Sequence, residues 1–152
     1  MGGDELNLIV AGTNYGWPYV TLGVQYAKQA TDVRAWALNT AQGRHDGFTP
    51  PRYAWLPSIA PSSVRLVQVV DPRWDGDLLV TTLKDQSLHR LRMDGTRVLY
   101  DERVDMPGQV RDTAVTGGLI YVLFDDCQFG FLKPRPTQQQ SGRTARWPPT
   151  DA

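Results

Sequence analysis

The chain has 152 residues, 41% of them hydrophobic, and its 16 Lys+Arg balance its 16 Asp+Glu to a net charge of zero. That length and apolar content suit one ordinary domain, and the lack of a basic stripe argues against a nucleic-acid partner. No apolar run approaches the roughly 20 residues needed to span a bilayer, and the single Cys127 excludes an intrachain disulfide and a multi-cysteine metal site.

The opening segment is the most specific one. Residues 2–18 read G-G-D-E-L-N-L-I-V-A-G-T-N-Y-G-W-P. Two carboxylates, Asp4 and Glu5, precede a short apolar strand expected over Leu6–Val10, and a Gly-Thr-Asn turn leads to an aromatic corner around Tyr15 and Trp17. So elaborate a start gives the expectation that the chain is the C-terminal portion of something longer. It shows neither the basic n-region nor the apolar h-region of a secretory leader.

Tyr26–Leu38 is the best helical window, with Ala, Lys, Gln and Arg. Its apolar positions sustain no stripe, so it reads as irregular loop with one helical turn. From residue 53 onward short strands between turn signals dominate. Ser63–Val69, Asp77–Lys84, Ser87–Met93 and Thr96–Val104 form a four-stranded antiparallel meander, with Asp94-Gly95 as the hairpin turn between the last two. Roughly 40 residues is the size of one propeller blade. The pattern restarts with Val110–Thr116, a Gly117-Gly118 turn, Leu119–Asp125 and a weaker strand at Gln128–Lys133. A tail rich in Pro, Gln, Arg and Thr follows. The expected organisation is all-β, a partial β-propeller over 1–133: one complete four-stranded blade, one incomplete blade and an irregular N-terminal region. Residues 134–152 are expected to be a disordered tail. A blade buries its faces only against neighbours, so apolar faces should be left open.

Four segments together carry a family resemblance: the opening motif at 2–18; P-x-Y-x-W-x-P-S-I-A-P-S-S at 51–63; W-x-G-D-L-L-V-T-T-L-K-x-x-S-L-x-R-L at 74–91; and V-R-D at 110–112, followed by L-F-D-D at 123–126. In this order they resemble the C-terminal part of the soluble quinoprotein glucose dehydrogenases, the PQQ-dependent aldose sugar dehydrogenases, which are six-bladed propellers of the glucose/sorbosone dehydrogenase type. The resemblance covers roughly residues 2–127. It implies oxidation of an aldose at its anomeric carbon to a lactone, with hydride passing to PQQ beside calcium. It also implies a periplasmic or secreted full-length protein, open to homodimer formation.

Carried over residue by residue, the resemblance implies that Lys84 and Arg111 anchor the anionic cofactor, whose carboxylates suit cationic partners. A third cationic position is filled here by Gln109. Glu5, through its carboxylate, and Tyr15, through its backbone carbonyl, match positions of a structural calcium site. The plainer reading makes Lys84 and Arg111 exposed strand-end charges, and leaves Asp4 and Glu5 in a solvated turn with Tyr15 and Trp17 packing a corner. No catalytic residue is assigned. His45, in H-D-G-F-T-P-P, is expected to be solvent-exposed, and His89, mid-strand beside arginines, to be a surface residue; the family's base lies in an earlier blade. Three functional readings stay open: a portion of a PQQ-dependent sugar dehydrogenase, inactive by itself; a non-catalytic propeller-derived binding module; and a non-functional truncated remnant.

Overall fold

A computed structural model describes residues 3–23, 41–42 and 45–133, and every regular element among them is a strand. The helical window at 26–38 and the tail at 134–152 lie outside the described residues.

The main sheet has four antiparallel strands in meander order: β5 (Pro61–Leu66), β6 (Leu78–Thr82), β7 (Ser87–Asp94) and β8 (Arg97–Asp105). A second sheet is built from β9 (Val110–Thr116), β10 (Leu119–Phe124) and β11 (Phe129–Leu132), with β10 in the middle. These are the expected complete and incomplete blades. Asp94 pairs with Arg97, so the β7–β8 turn is centred one residue later than expected, on Gly95-Thr96. Only Gly95 of the two has a positive φ, 58°, as at the first central position of a type II′ turn. At Gly117-Gly118 both φ angles are positive, 59° and 74°, as a type I′ turn requires.

The predicted strand over Leu6–Val10 is corrected. β1 is Asp4–Leu6, and it pairs with β4 (Tyr53–Trp55) rather than with a sequence neighbour. Leu8, Ile9 and Val10 are exposed loop. The Tyr15 hydroxyl closes that loop by donating to the Leu8 carbonyl at 2.6 Å and accepting from the Val10 amide at 2.7 Å. A further pair, β2 (Val20–Thr21) and β3 (Ala41–Gln42), is parallel.

The four-stranded sheet is covered on both faces at its centre, along β6 and β7, while Val64 and Leu66 of β5 and Leu99 and Tyr100 of β8 stay exposed. Alternation along β6 and β7 sends Leu79 and Leu88 to one side, where they pack with Val67, Val110, Ile120 and Val122 against the second sheet. It sends Val80 and Leu91 to the other side, under Trp55 and Ile59. The first strands of the two sheets are also tied. Arg65 on β5 donates to both Asp112 carboxylate oxygens at 2.9 and 3.0 Å and to the Thr113 carbonyl at 2.9 Å, and the Ser62 hydroxyl donates to the Val110 carbonyl at 2.6 Å. The outer face of the second sheet, with Tyr121, Leu123, Phe129 and Phe131, is exposed.

Candidate functional site

The antiparallel order gathers three connections at one end of the sheets: 83–86 between β6 and β7, 106–109 between β8 and β9, and 125–128 between β10 and β11. Segment 56–60, leading into β5, joins them. Backbone hydrogen bonds stitch these loops together. The Leu83 amide donates to the Ala60 carbonyl at 2.9 Å, Met106 to Gln86 at 2.9 Å, and Asp125 to Gln109 at 2.9 Å. A cleft of about 450 Å³ opens here between loops 107–109 and 124–128.

Lys84 and Arg111 both belong to this end. Lys84 lies in the β6–β7 connection and is exposed. Arg111 is the second residue of β9, half-exposed, and its guanidinium is ion-paired with Asp125 at the mouth of the cleft. Asp125 stands in the quoted L-F-D-D motif, but nothing in the motif singled it out as the partner of Arg111. A carboxylate thus already rests on Arg111, which is the contact a carboxylated ligand would make there. Gln109 supplies no charge, and its carbonyl is spent on the Asp125 amide.

Glu5 and Tyr15 are placed differently. Glu5 sits on β1 and is held on both oxygens, by His45 Nε2 at 2.8 Å and by the Asn7 amide at 3.2 Å. The Tyr15 side chain is consumed by the loop closure already described. Asn7 Oδ1 and His45 Nδ1 are buried without a hydrogen-bond partner. Asn7 Oδ1 is a hard oxygen next to the Glu5 carboxylate, of the kind calcium takes. Calcium, however, takes six to eight such oxygens, and no cluster of three His, Cys, Asp or Glu side chains able to hold a metal occurs among the described residues. These residues alone therefore do not fit a calcium ion.

Both histidines correct the expectation of surface positions. The His45 side chain is only 7% exposed because Glu5 draws it inward. His89 is 5% exposed. It lies under the Trp55 ring edge, with Nδ1 at 2.8 and 3.0 Å from the Asp101 carboxylate and Nε2 at 3.3 Å from Asp85. Burial lowers the His89 pKa, but its hydrogen bond to Asp101, the Asp101 charge and then Asp85 outweigh burial and leave it raised. Asp85 lies four residues before His89 in the sequence, but Asp101 is brought to the ring only by the pairing of β7 with β8. Asp4, a third polar residue that sequence alone left as a turn, accepts from the Ser58 hydroxyl at 2.7 Å and from the Ile59 and Ala60 amides at 2.8 and 3.1 Å.

The model of the glucose/sorbosone dehydrogenase family matches residues 1–132. The chain belongs to the glucose/sorbosone dehydrogenase family. It is 32% identical over 141 residues to the aldose sugar dehydrogenase YliI of Escherichia coli, covering 89% of this chain and 36% of that protein. It is 28% identical over 173 residues to quinoprotein glucose dehydrogenase B of Acinetobacter calcoaceticus, covering 80% and 36%. Among solved structures, the apo-form of the soluble aldose sugar dehydrogenase from Escherichia coli superposes with a TM-score of 0.71 at 28% identity, over 86% of this chain and 37% of that one. The PQQ-bound aldose sugar dehydrogenase from Streptomyces coelicolor shares the fold, with a TM-score of 0.53 at 21% identity over 80% and 31%. The chain thus spans about a third of the length of the relatives it matches. No helix among the described residues is long and apolar enough to cross a membrane.

Proposed function

We propose that this chain forms one side of the cofactor site of a PQQ-dependent aldose dehydrogenase, presenting Lys84 and Arg111 to the carboxylates of the quinone. PQQ, when bound, supplies the hydride acceptor for oxidation of an aldose to a lactone. The chain's own residues bind and orient. Arg111, a planar guanidinium already seated on a carboxylate, is the observation that carries this reading. Lys84, a point charge on a flexible stem, adds attraction from the neighbouring turn. Glu5 and the Tyr15 carbonyl are proposed as this chain's share of a calcium site that ligands beyond the described residues complete.

The chain does not catalyse by itself on this reading. Both His89 nitrogens face carboxylates, and His45 Nε2 is committed to Glu5, so neither ring meets a substrate at the cleft. That same observation favours the second reading, a non-catalytic binding module. Removing a general base typically costs about 10²–10⁴ in rate. Titrating PQQ while following its absorbance tests the anchor assignment. Binding should weaken for Lys84→Ala and Arg111→Ala and strengthen for Asp125→Asn, which frees the guanidinium. Equal affinity in all four proteins would sink it. An aldose and a dye acceptor added in the same cell test what the two readings share, because turnover above the protein-free control contradicts a chain that is non-catalytic by itself.

A further inference from the structure

His89 sits where its chemistry does more than fill the core. A neutral imidazole has one N–H and one lone pair. Here each ring nitrogen faces a carboxylate, Asp101 at 2.8 Å and Asp85 at 3.3 Å. Only the doubly protonated ring satisfies both; the neutral ring aims a lone pair at one of them. Those carboxylates belong to different parts of the fold. Asp101, on β8, also accepts from the Tyr53 hydroxyl and the Trp55 indole N–H of β4, both at 3.1 Å. Asp85 lies in the β6–β7 connection, directly after Lys84. It is also gripped from the solvent side by Arg103, whose Nε donates to its carboxylate at 2.6 Å and whose Nη2 donates to its carbonyl at 3.1 Å, and by the Ser87 hydroxyl at 2.7 Å.

We propose that His89 is a positioning residue for the Lys84 turn: a protonated strut that holds Asp85, and with it residues 83–86, against β8 and β4. The turn then has two charged holds. Arg103 is half-exposed and keeps its charge at every accessible pH. His89 is buried and loses its charge when it deprotonates. The titratable and charged groups facing the ring are Asp85 from the turn and Asp101 from β8, both shifted down, and Arg103 from β8 and Tyr53 from β4, both shifted up, so the charge that changes in the histidine range is that of His89. Deprotonation removes one hold from the turn and sets a lone pair against a carboxylate. The turn, and the cation it carries, should loosen in the same pH window. This deepens the proposed function, because it rests on Lys84 serving as an anchor.

The test is nitrogen-detected NMR of the His89 ring on the full chain, with amide hydrogen exchange, corrected for intrinsic rate, at Asp85 and Leu91. Near neutral pH both ring nitrogens should carry protons. Protection of the Asp85 amide, which donates to the Ile59 carbonyl at 3.3 Å, should fall about tenfold across the His89 titration, the scale of one lost charge-assisted hydrogen bond. Leu91, at the centre of β7, should not follow. Arg103→Gln removes the exposed hold, so the fall should be larger, with its midpoint moved to higher pH by the loss of a positive charge beside Asp85. A singly protonated ring at neutral pH, or Asp85 protection that stays flat through the titration, overturns the proposal. Both readouts come from the unmodified chain, so a variant that fails to fold cannot shelter it. A parallel PQQ titration keeps the two claims apart. Turn amides that track His89 while PQQ binds at no pH uphold the strut and refute the anchor reading; PQQ affinity that ignores the titration refutes the link from strut to Lys84.

Discussion

Asp4 fastens the N-terminal strand to the loop end of the main sheet, and removing its carboxylate should be costly. One oxygen, Oδ2, accepts the Ser58 hydroxyl and the Ile59 and Ala60 amides. The carbonyls of Ile59 and Ala60 in turn accept from Asp85 and Leu83 of the turn carrying Lys84. In Asp4→Ala the Ile59 amide loses its acceptor, while the Ala60 amide retains only Ser58 Oγ at 3.3 Å. Hydrogen bonds to a charged group contribute about 1.5–3 kcal/mol each. Because this site is partly solvated and one amide keeps a partner, we expect a loss of about 2–3 kcal/mol in total. With a urea slope near 2 kcal/mol/M, the unfolding midpoint should drop by about 1–1.5 M at unchanged slope. Asp4→Asn keeps an oxygen in place and should lose roughly 1 kcal/mol. A midpoint within about 0.2 M of the parent for Asp4→Ala, or an Ala variant no worse than the Asn variant, would refute the clamp.

Further outcomes follow from packing and charge. Leu88→Ala, at a fully buried position between the sheets, should cost about 2–5 kcal/mol in urea unfolding, whereas Leu99→Ala, 51% exposed, should change stability by less than about 0.5 kcal/mol. Gly16→Ala should lower Tm far more than Gly12→Ala. Both have positive φ, but a Cβ on Gly16 would lie 2.1 Å from Val20 Cγ2 while one on Gly12 meets nothing within 4 Å. The midpoint should also depend on pH from both sides. His89, with a raised folded pKa, contributes stability that is complete below its unfolded pKa and is lost as pH rises through the folded value. Asp101, lowered, and Asp85, lowered to about 2, contribute stability present above the unfolded carboxylate pKa and lost as pH falls through the folded values. His89→Gln should remove the alkaline decline, which midpoints measured at pH 6 through 9 would show (roughly the span over which His charge changes).

What the sequence revealed depended on whether the deciding partner was local. β9 was expected at Val110–Thr116 and is found there, because the double glycine that ends it dictates its own turn. The meander order of β5 to β8 was equally legible. β1 was misjudged, since its apolar run continues past Leu6 while its partner β4 lies far along the chain. The polar residues fared worst. Glu5, His45, His89 and Asp4 are each defined by a partner that only the folded chain delivers, and a polar or basic sequence neighbourhood suggested solvent instead. Asp125 was visible as a letter in L-F-D-D, but its pairing with Arg111 needed the β9–β10 register.

The most direct test of the account is a PQQ titration of the purified chain beside its Arg111→Ala variant, with an aldose and a dye acceptor present. Binding should fall when Arg111 is removed, and dye reduction should be no faster than in the protein-free control. Binding indifferent to Arg111, or turnover above that control, would contradict it.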